Sequence, residues 1–362
     1  METEWWQSRR DELLAMTGQG SPLYVFNEET LNEILFDLLS IDVIDRLFYP
    51  VHANPLPKIL RKAVEQGVGF RCISCDEMDG LLRDFPGLDP ERIVFFPVAA
   101  TGRDFARAFD GCVQVVVDDL SAIKRWPDVF QDRRVFIRGD MGTDQTEIGA
   151  TGISVQGFYC SLKTDARPVC GPDDTLSFLA GALAHFPDEA TLILGNGTEQ
   201  EMHREKELMD VSALGEYLET FAHACPRFNL WLELPYRMLG RAGVLITRVV
   251  EAGEQAGTRC VRVHADIQAP GSNGRCGIPH RMVNLSRPDS DQTVSPTRII
   301  GQAGGSGNWM DLPDAPTIIE EGDALVFTNM GAPGAKRLSK GKGWNRMPQH
   351  YLHARSMCRV RI

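Results

Sequence analysis

A change of grammar near Gly243 constrains this chain more than any other feature. Before it, short and nearly all-apolar runs at residues 23–26, 46–51, 70–74, 93–96, 113–117, 134–138, 191–194 and 229–232 alternate with helical stretches at 28–39, 57–66, 76–84, 103–109, 120–126 and 211–224. Apolar strands separated by helices indicate a parallel sheet covered on both faces. About eight such units over roughly 220 residues predict a closed (β/α)8 barrel. After Gly243 helical periodicity nearly vanishes. Strand-like runs at 243–250, 259–264, 297–301, 323–328 and 355–362 are separated by loops rich in Gly, Pro and Asn, which predicts an all-β domain. The expected organisation is an N-terminal segment at 1–21 packing on the β-domain, a barrel at 22–240 and a β-domain at 241–362. A chain of 362 residues is long enough for two cores.

Composition narrows the function classes. The formal net charge is −11, so no basic footprint for nucleic acid or an anionic membrane is expected. No apolar run approaches the about 20 residues that a membrane span needs. The opening METEWWQSRRDELLAM is charged and amphipathic and lacks the apolar core of a signal peptide. The default expectation is a cytoplasmic protein. The nine cysteines show no disulfide framework, as expected of reduced thiols. Cys72 and Cys75 form one C-x-x-C without a second pair at zinc-ribbon spacing, so no metal site is assigned.

Several segments are more specific. Residues 21–26, SPLYVF, and residues 48–55, FYPVHANP, resemble the first strand and the F-Y-A-V-K-A-N-P signature of the diaminopimelate and ornithine decarboxylase family. PERIVF at 90–95, VDDLS at 117–121, ELPYRMLGRAGVLITR at 233–248 and the stretch from Glu321 to Ala332 are similar to further family segments, in the same order. These are pyridoxal phosphate (PLP) enzymes of fold type III. The resemblance implies an alanine-racemase-like barrel followed by a β-domain, a homodimer, and an amino-acid-like small molecule as substrate.

The departures from the family pattern bear on function. His52 stands where the resemblance places the lysine that forms the internal Schiff base, and imidazole has no primary amine. The family's ring-stacking histidine falls at Ser161. The phosphate-binding glycine loop survives in part as Gly195, Asn196 and Gly197. The arginine of E-P-G-R falls at Tyr236, with Arg237 adjacent. The C-E-S-x-D motif reads Gly304-Gly305-Ser306-Gly307-Asn308, and the G-A-Y tyrosine is Pro333. Three positions match the family: Glu233, the acid facing the pyridine nitrogen; Arg138, a barrel arginine of the same pocket; and Glu77, the acid of an S-x-x-E. Each has a second reading as a retained packing residue.

Covalent PLP is therefore not expected here, while non-covalent binding through Gly195, Gly197 and Arg237 stays open. His52, Lys163 and Glu233 are the catalytic candidates; Glu77, Arg138, Ser161, Gly195, Gly197, Tyr236 and Arg237 are the ligand-binding candidates. His52 reads either as a general base or as a space-filling group. Lys163 is either an amine facing the pocket or a solvent-facing loop lysine. Lys336, Lys340 and Lys342 read as a ligand-covering loop or as an exposed basic turn. His264, Asp266, Cys276 and His280 offer metal-ligating atoms at irregular spacing, or side chains satisfied by loop backbone. The function expected is altered, lysine-independent chemistry on an amino-acid-like molecule, a role that suits specialised biosynthesis. The alternative is a non-catalytic pseudoenzyme that binds a ligand or regulates an active relative.

Overall fold

The computed structural model describes residues 4–18, 22–118, 120–138, 153–161, 190–195, 211–224, 228–234, 236–265, 281–287, 293–302, 309–332 and 349–353. In chain order, helices α1 (Trp5–Ser8) and α2 (Arg10–Thr17) precede strand β1 (Leu23–Asn27) and helix α3 (Glu28–Leu39). The barrel strands follow: β2 (Arg46–Pro50), β3 (Gly69–Cys72), β4 (Ile93–Phe95), β5 (Gln114–Val117), β6 (Arg134–Arg138), β7 (Ser154–Ser161), β8 (Ala190–Gly195) and β9 (Phe228–Glu233). Each pairs in parallel with the next, and β9 closes on β2 through Arg46↔Trp231 and Phe48↔Glu233.

The helices between these strands start and stop where local chemistry dictates. Helix α4 (Pro57–Glu65) has proline in its first turn, where no N–H is needed. It ends before Gly67, whose φ of 78° only glycine adopts cheaply. Ser74 caps α5 (Cys75–Asp84). Thr101 and Asp104 form a reciprocal capping box on α6 (Gly102–Asp110). Among the described residues, helices α7 (Ser121–Arg125), α8 (Pro127–Phe130) and α9 (Val211–Ala224) follow.

Inside the ring, Phe48, Val94, Phe96, Val116, Phe136, Tyr159, Ile193 and Trp231 form one buried cluster. Trp231 lies 5.2 Å from Phe48 and 5.4 Å from Phe136, centroid to centroid. Inward side chains from strands all round the ring thus fill the barrel as a packed core. Strands β7 and β8 approach so closely at Gly157 that a Cβ there would sit 1.9 Å from the Thr191 carbonyl oxygen.

The second compact unit holds α1, α2, β1 and everything from α10 (Tyr236–Gly240) onward. Its strands are β10 (Gly243–Gln255), β11 (Thr258–Val263), β12 (Met282–Asn284), β13 (Val294–Ile300), β14 (Trp309–Pro316), β15 (Ala324–Phe327) and β16 (Gln349–Leu352). The sheet runs β12-β15-β10-β11-β13-β14, and β1 joins it by pairing with β10 and β16. Trp6, Leu13, Leu23, Val25, Val244, Ile246, Leu285, Ala324, Val326 and Leu352 form its core. Among the described residues, no helix is long and apolar enough to cross a membrane.

Two details differ from the reading of the sequence. Strand β1, assigned there to a barrel beginning at 22, pairs with the β-domain sheet. Its place in the ring is taken by β7, which the sequence did not mark as a strand. The run LYVFN is buried at every position, and full burial looks the same whichever sheet supplies it. The run expected at 355–362 lies outside the described residues.

Candidate functional site

The C-terminal ends of the barrel strands bring together residues distant in sequence. Two residues beyond β2, His52 sits in a tight turn. Val51 N–H donates to the Arg71 carbonyl at 3.0 Å, Ala53 N–H to Pro50 at 3.0 Å, and the Tyr49 hydroxyl to the Asn54 carbonyl at 2.9 Å. The imidazole is buried, and its Nε2 lies 3.4 Å from Arg71 Nη1. A guanidinium only donates hydrogen bonds, so Nε2 accepts in this contact and the ring proton belongs on Nδ1.

Arg71, on β3, is the hub. The nitrogen that meets His52 also donates to Glu233 Oε1 at 3.2 Å. The other carboxylate oxygen, Oε2, accepts from the Tyr159 hydroxyl at 2.6 Å. Glu233 ends β9 and is 1% exposed, and Tyr159 is fully buried on β7. The guanidinium carbon lies 5.1 Å from the centre of the Phe96 ring and 6.0 Å from that of Tyr159. These two rings meet edge to face at 4.6 Å, an arrangement that favours a cation beside them.

Burial works against the charge on Arg71, but the attraction of Glu233, then of Tyr159 and Glu77, outweighs it, and the guanidinium pKa is raised. The pairing is not complete: Arg71 Nε is buried without a hydrogen-bond partner among the described residues, so the charge on Glu233 and the flanking rings carry the guanidinium.

Gly195, the last residue of β8, completes the wall. A Cβ there would lie 2.0 Å from the Tyr159 hydroxyl and 2.4 Å from Glu233 Oε2. Only glycine lets the backbone pass the tyrosine–glutamate pair this closely. Ser161 pairs with Gly195 across β7 and β8; its side chain lies outside the described atoms.

Other candidates have separate positions. Glu77 lies in the first turn of α5, where its Oε2 accepts from Ile73 N–H at 3.0 Å and its own N–H reaches Ser74 Oγ at 3.4 Å. The S-x-x-E spacing thus forms a helix cap, and the charge of Glu77 also acts on Arg71. Arg138, buried at the end of β6, donates to Asp118 Oδ1 at 3.1 Å. Tyr236 and Arg237 open α10, and their side chains are outside the described atoms. Lys163, Gly197, Asp266, Cys276, His280, the 304–308 run, Pro333, Lys336, Lys340 and Lys342 lie outside the described residues. His264 is exposed. In the C-x-x-C pair, Cys72 is buried, while burial and the neighbouring Asp104 push the Cys75 thiol up to about 11.

The reading of the sequence missed Arg71 and Tyr159. An arginine inside the apolar strand GFRC was a visible signal: a charge there must find a partner across the barrel. Tyr159 lay on the strand that went unrecognised.

Comparison with known proteins agrees with this layout. Residues 40–171 match the family described as pyridoxal-dependent decarboxylase, pyridoxal binding domain. Diaminopimelate decarboxylase of Deinococcus radiodurans is 27% identical over 253 residues. That match spans 64% of this chain and 64% of the relative's length.

Among solved structures, the arginine decarboxylase of Paramecium bursaria Chlorella virus, bound to agmatine, superposes with a TM-score of 0.76 at 16% identity, over 96% of this chain and 100% of that one. The lysine/ornithine decarboxylase of Vibrio vulnificus, complexed with putrescine, gives 0.75 at 14% identity, over 95% and 98%. Lysine decarboxylase of Selenomonas ruminantium gives 0.72 at 16%, over 91% and 92%.

The closed parallel barrel with its β-sheet domain is the architecture of the fold-type III PLP decarboxylases. Within that fold, residues 40–171 are similar to the pyridoxal binding domain of the pyridoxal-dependent decarboxylases, and a longer stretch of the chain is similar to a diaminopimelate decarboxylase.

Proposed function

We propose that this chain binds an amino-acid-like small molecule at the barrel mouth without a lysine-linked cofactor, as a binding protein rather than a decarboxylase. The observation that carries the reading is the engagement of Glu233. Both its oxygens are held by protein donors, Arg71 and Tyr159, and Arg71 in turn meets His52. A carboxylate locked by two donors is a poor general acid or base, and an imidazole whose Nε2 faces a permanent cation is a poor proton acceptor at that nitrogen. The ligand class follows the relatives, of which one is complexed with putrescine and another bound to agmatine. The homodimer implied by the resemblance and a cytoplasmic address belong to the same proposal.

One observation favours a second reading, an enzyme with altered chemistry: His52 lies at the C-terminal end of a barrel strand, where barrel enzymes keep their reacting groups. Calorimetric titration of the purified protein with lysine, ornithine, arginine, diaminopimelate and their decarboxylated amines, beside a carbon dioxide release assay with added PLP, separates the readings. The expected result is saturable binding of one of these without release of carbon dioxide. Release that is lost in His52→Ala overturns the binding-protein reading in favour of the enzyme, and absence of binding across the panel overturns the ligand class.

A further inference from the structure

We infer that the guanidinium of Arg71 is a built-in substitute for a cofactor ring: it presents a planar cation to Glu233 from within the chain and so closes the barrel mouth to pyridoxal phosphate. The first argument is spatial. One nitrogen, Nη1, stands 3.4 Å from His52 Nε2 and 3.2 Å from Glu233 Oε1. The position that resembles the Schiff-base lysine and the acid that would face the pyridine nitrogen are therefore spanned by a single atom and its two contacts. A six-membered ring with an exocyclic carbon on one side and a hydrogen-bonded nitrogen on the other is longer than that span.

The second argument concerns acceptors. A pyridinium N–H needs a carboxylate oxygen it can approach, and both oxygens of the buried Glu233 already face a protein donor, Oε1 toward Arg71 and Oε2 toward Tyr159, so a further donor would have to share one of them. The Gly195 backbone lies against the Tyr159 hydroxyl with no room for even a methyl group, so on that side the hydroxyl has nowhere to withdraw.

The third argument is that the replacement has a bed of its own. The Phe96 and Tyr159 rings, packed edge to face, lie within 5.1 Å and 6.0 Å of the guanidinium carbon, as aromatic side chains do around a resident planar cation. Arginine is permanently charged, so the neutralisation of Glu233 needs no ligand and no protonation event.

The chemistry of the aldehyde points the same way. Covalent retention of PLP requires a primary amine to condense with it and release water. Among the described residues of the barrel unit the lysines are Lys58, Lys62 and Lys124, all on the outer helices α4 and α7. The described residues of the mouth thus fit neither the anchoring of PLP nor its ring. The inference is independent of whether the mouth binds an amino-acid-like ligand.

The test restores the amine with and without the plug. Wild type, His52→Lys, His52→Lys with Arg71→Ala, and His52→Lys with Arg71→Gln are incubated with PLP and dialysed. They are then read by aldimine absorbance and by intact mass after borohydride reduction, with circular dichroism to verify folding. The glutamine variant keeps a donor for Glu233 in case alanine compromises the fold. We expect no retained PLP in wild type or in His52→Lys alone, and about a tenfold or greater gain in retention in a folded double variant. About one PLP per chain in wild type or in His52→Lys alone overturns the inference, and so does a pair of folded double variants that retain none. If neither double variant folds, folded His52→Lys alone decides: about one PLP per chain there refutes the plug, and its absence with the amine restored is the predicted result.

Discussion

Each of the two units carries a buried carboxylate paired with an arginine, and the contrast shows how a site differs from a staple. In the β-domain, Asp323 accepts from Asn284 Nδ2 at 2.7 Å, from the Glu320 backbone N–H at 2.9 Å and from Arg287 Nε at 3.0 Å. The side-chain donors come from 39 and 36 residues away, and the arginine is 38% exposed. In the barrel, Glu233 is held by Arg71 and Tyr159 from 162 and 74 residues away, and every member of the set is buried. Water can replace Arg287 at the side of Asp323. Arg71 and Glu233 are both buried, so solvent does not stand ready to replace the arginine there.

The comparison is broken most forcefully by removing each arginine. Arg71→Ala strands a buried carboxylate and is expected to lower unfolding free energy by about 3–5 kcal/mol. Arg287→Ala is expected to cost much less, because its charge already faces solvent and surface pairs contribute little. Urea unfolding of both variants measures the difference. Equal losses would mean that the Arg71–Glu233 pair is no more isolated from water than the β-domain pair.

A smaller effect sharpens the barrel side. Gly195→Ala forces a methyl group into the Tyr159–Glu233 contact, at a cost of about 1–3 kcal/mol. Tyr159→Phe removes the nearest obstructing oxygen together with a charge-assisted hydrogen bond, and alone costs a similar amount. The two changes should therefore be less than additive, since each removes part of what the other disturbs. A double-mutant cycle in urea measures this; simple additivity would place Gly195 away from the pair.

How much of this was legible in the sequence depends on whether a feature is local. The alternation of apolar strands with capped helices is local, and it correctly gave a barrel of eight strands. The tally was right by compensation, however: β1 was included and β7 omitted. The run SVQGFYCS mixes Ser, Gln and Gly into a barrel strand and lacks the apolar density that marked the others. His52 and Glu233 were visible through their flanking motifs. The joining of these two through Arg71, and the bracing by Tyr159, arise from barrel closure, and no spacing along the chain encodes that. Glu77 shows how one motif carries two readings. A motif read either as part of a binding site or as packing also forms the N-terminus of α5, since serine followed three residues later by glutamate is how a helix start is capped.

A pH experiment extends the contrast to a group beside the barrel. Burial first, then Asp104 through its charge and its hydrogen bond, raises the Cys75 thiol from the ordinary 9.0 to about 11. The folded state thus favours the neutral thiol more than the unfolded chain does. The resulting stabilisation is complete below pH 9 and is lost as pH rises toward and through about 11. Comparing urea midpoints at about pH 8 and about pH 11 in wild type and Cys75→Ala isolates this contribution from other alkaline titrations. The wild type should lose more on the alkaline shift. An identical loss in both proteins would show that Cys75 titrates as an ordinary thiol.

The smallest expected effect lies at the tip of the β10–β11 hairpin, where stability is most local. Gln255 pairs with Thr258, so the turn is two residues long, and Ala256 and Gly257 both have positive φ, 52° and 76°. This geometry suits the right-handed twist of paired strands but strains any residue with a Cβ, and asparagine and glycine tolerate it best. Ala256→Asn keeps a side chain that can bond its own backbone, so it should raise stability by roughly 0.5–1 kcal/mol without touching the barrel. Ala256→Gly relieves the same strain but loosens the unfolded chain, so its gain should be the smaller of the two. The ranking of Asn above Gly above Ala in thermal unfolding, with no change in ligand binding, is what a purely local turn requires. A binding change in either variant would mean that the hairpin communicates with the mouth, and the division between a locally stabilised sheet and a barrel held by long-range pairs would have to be abandoned.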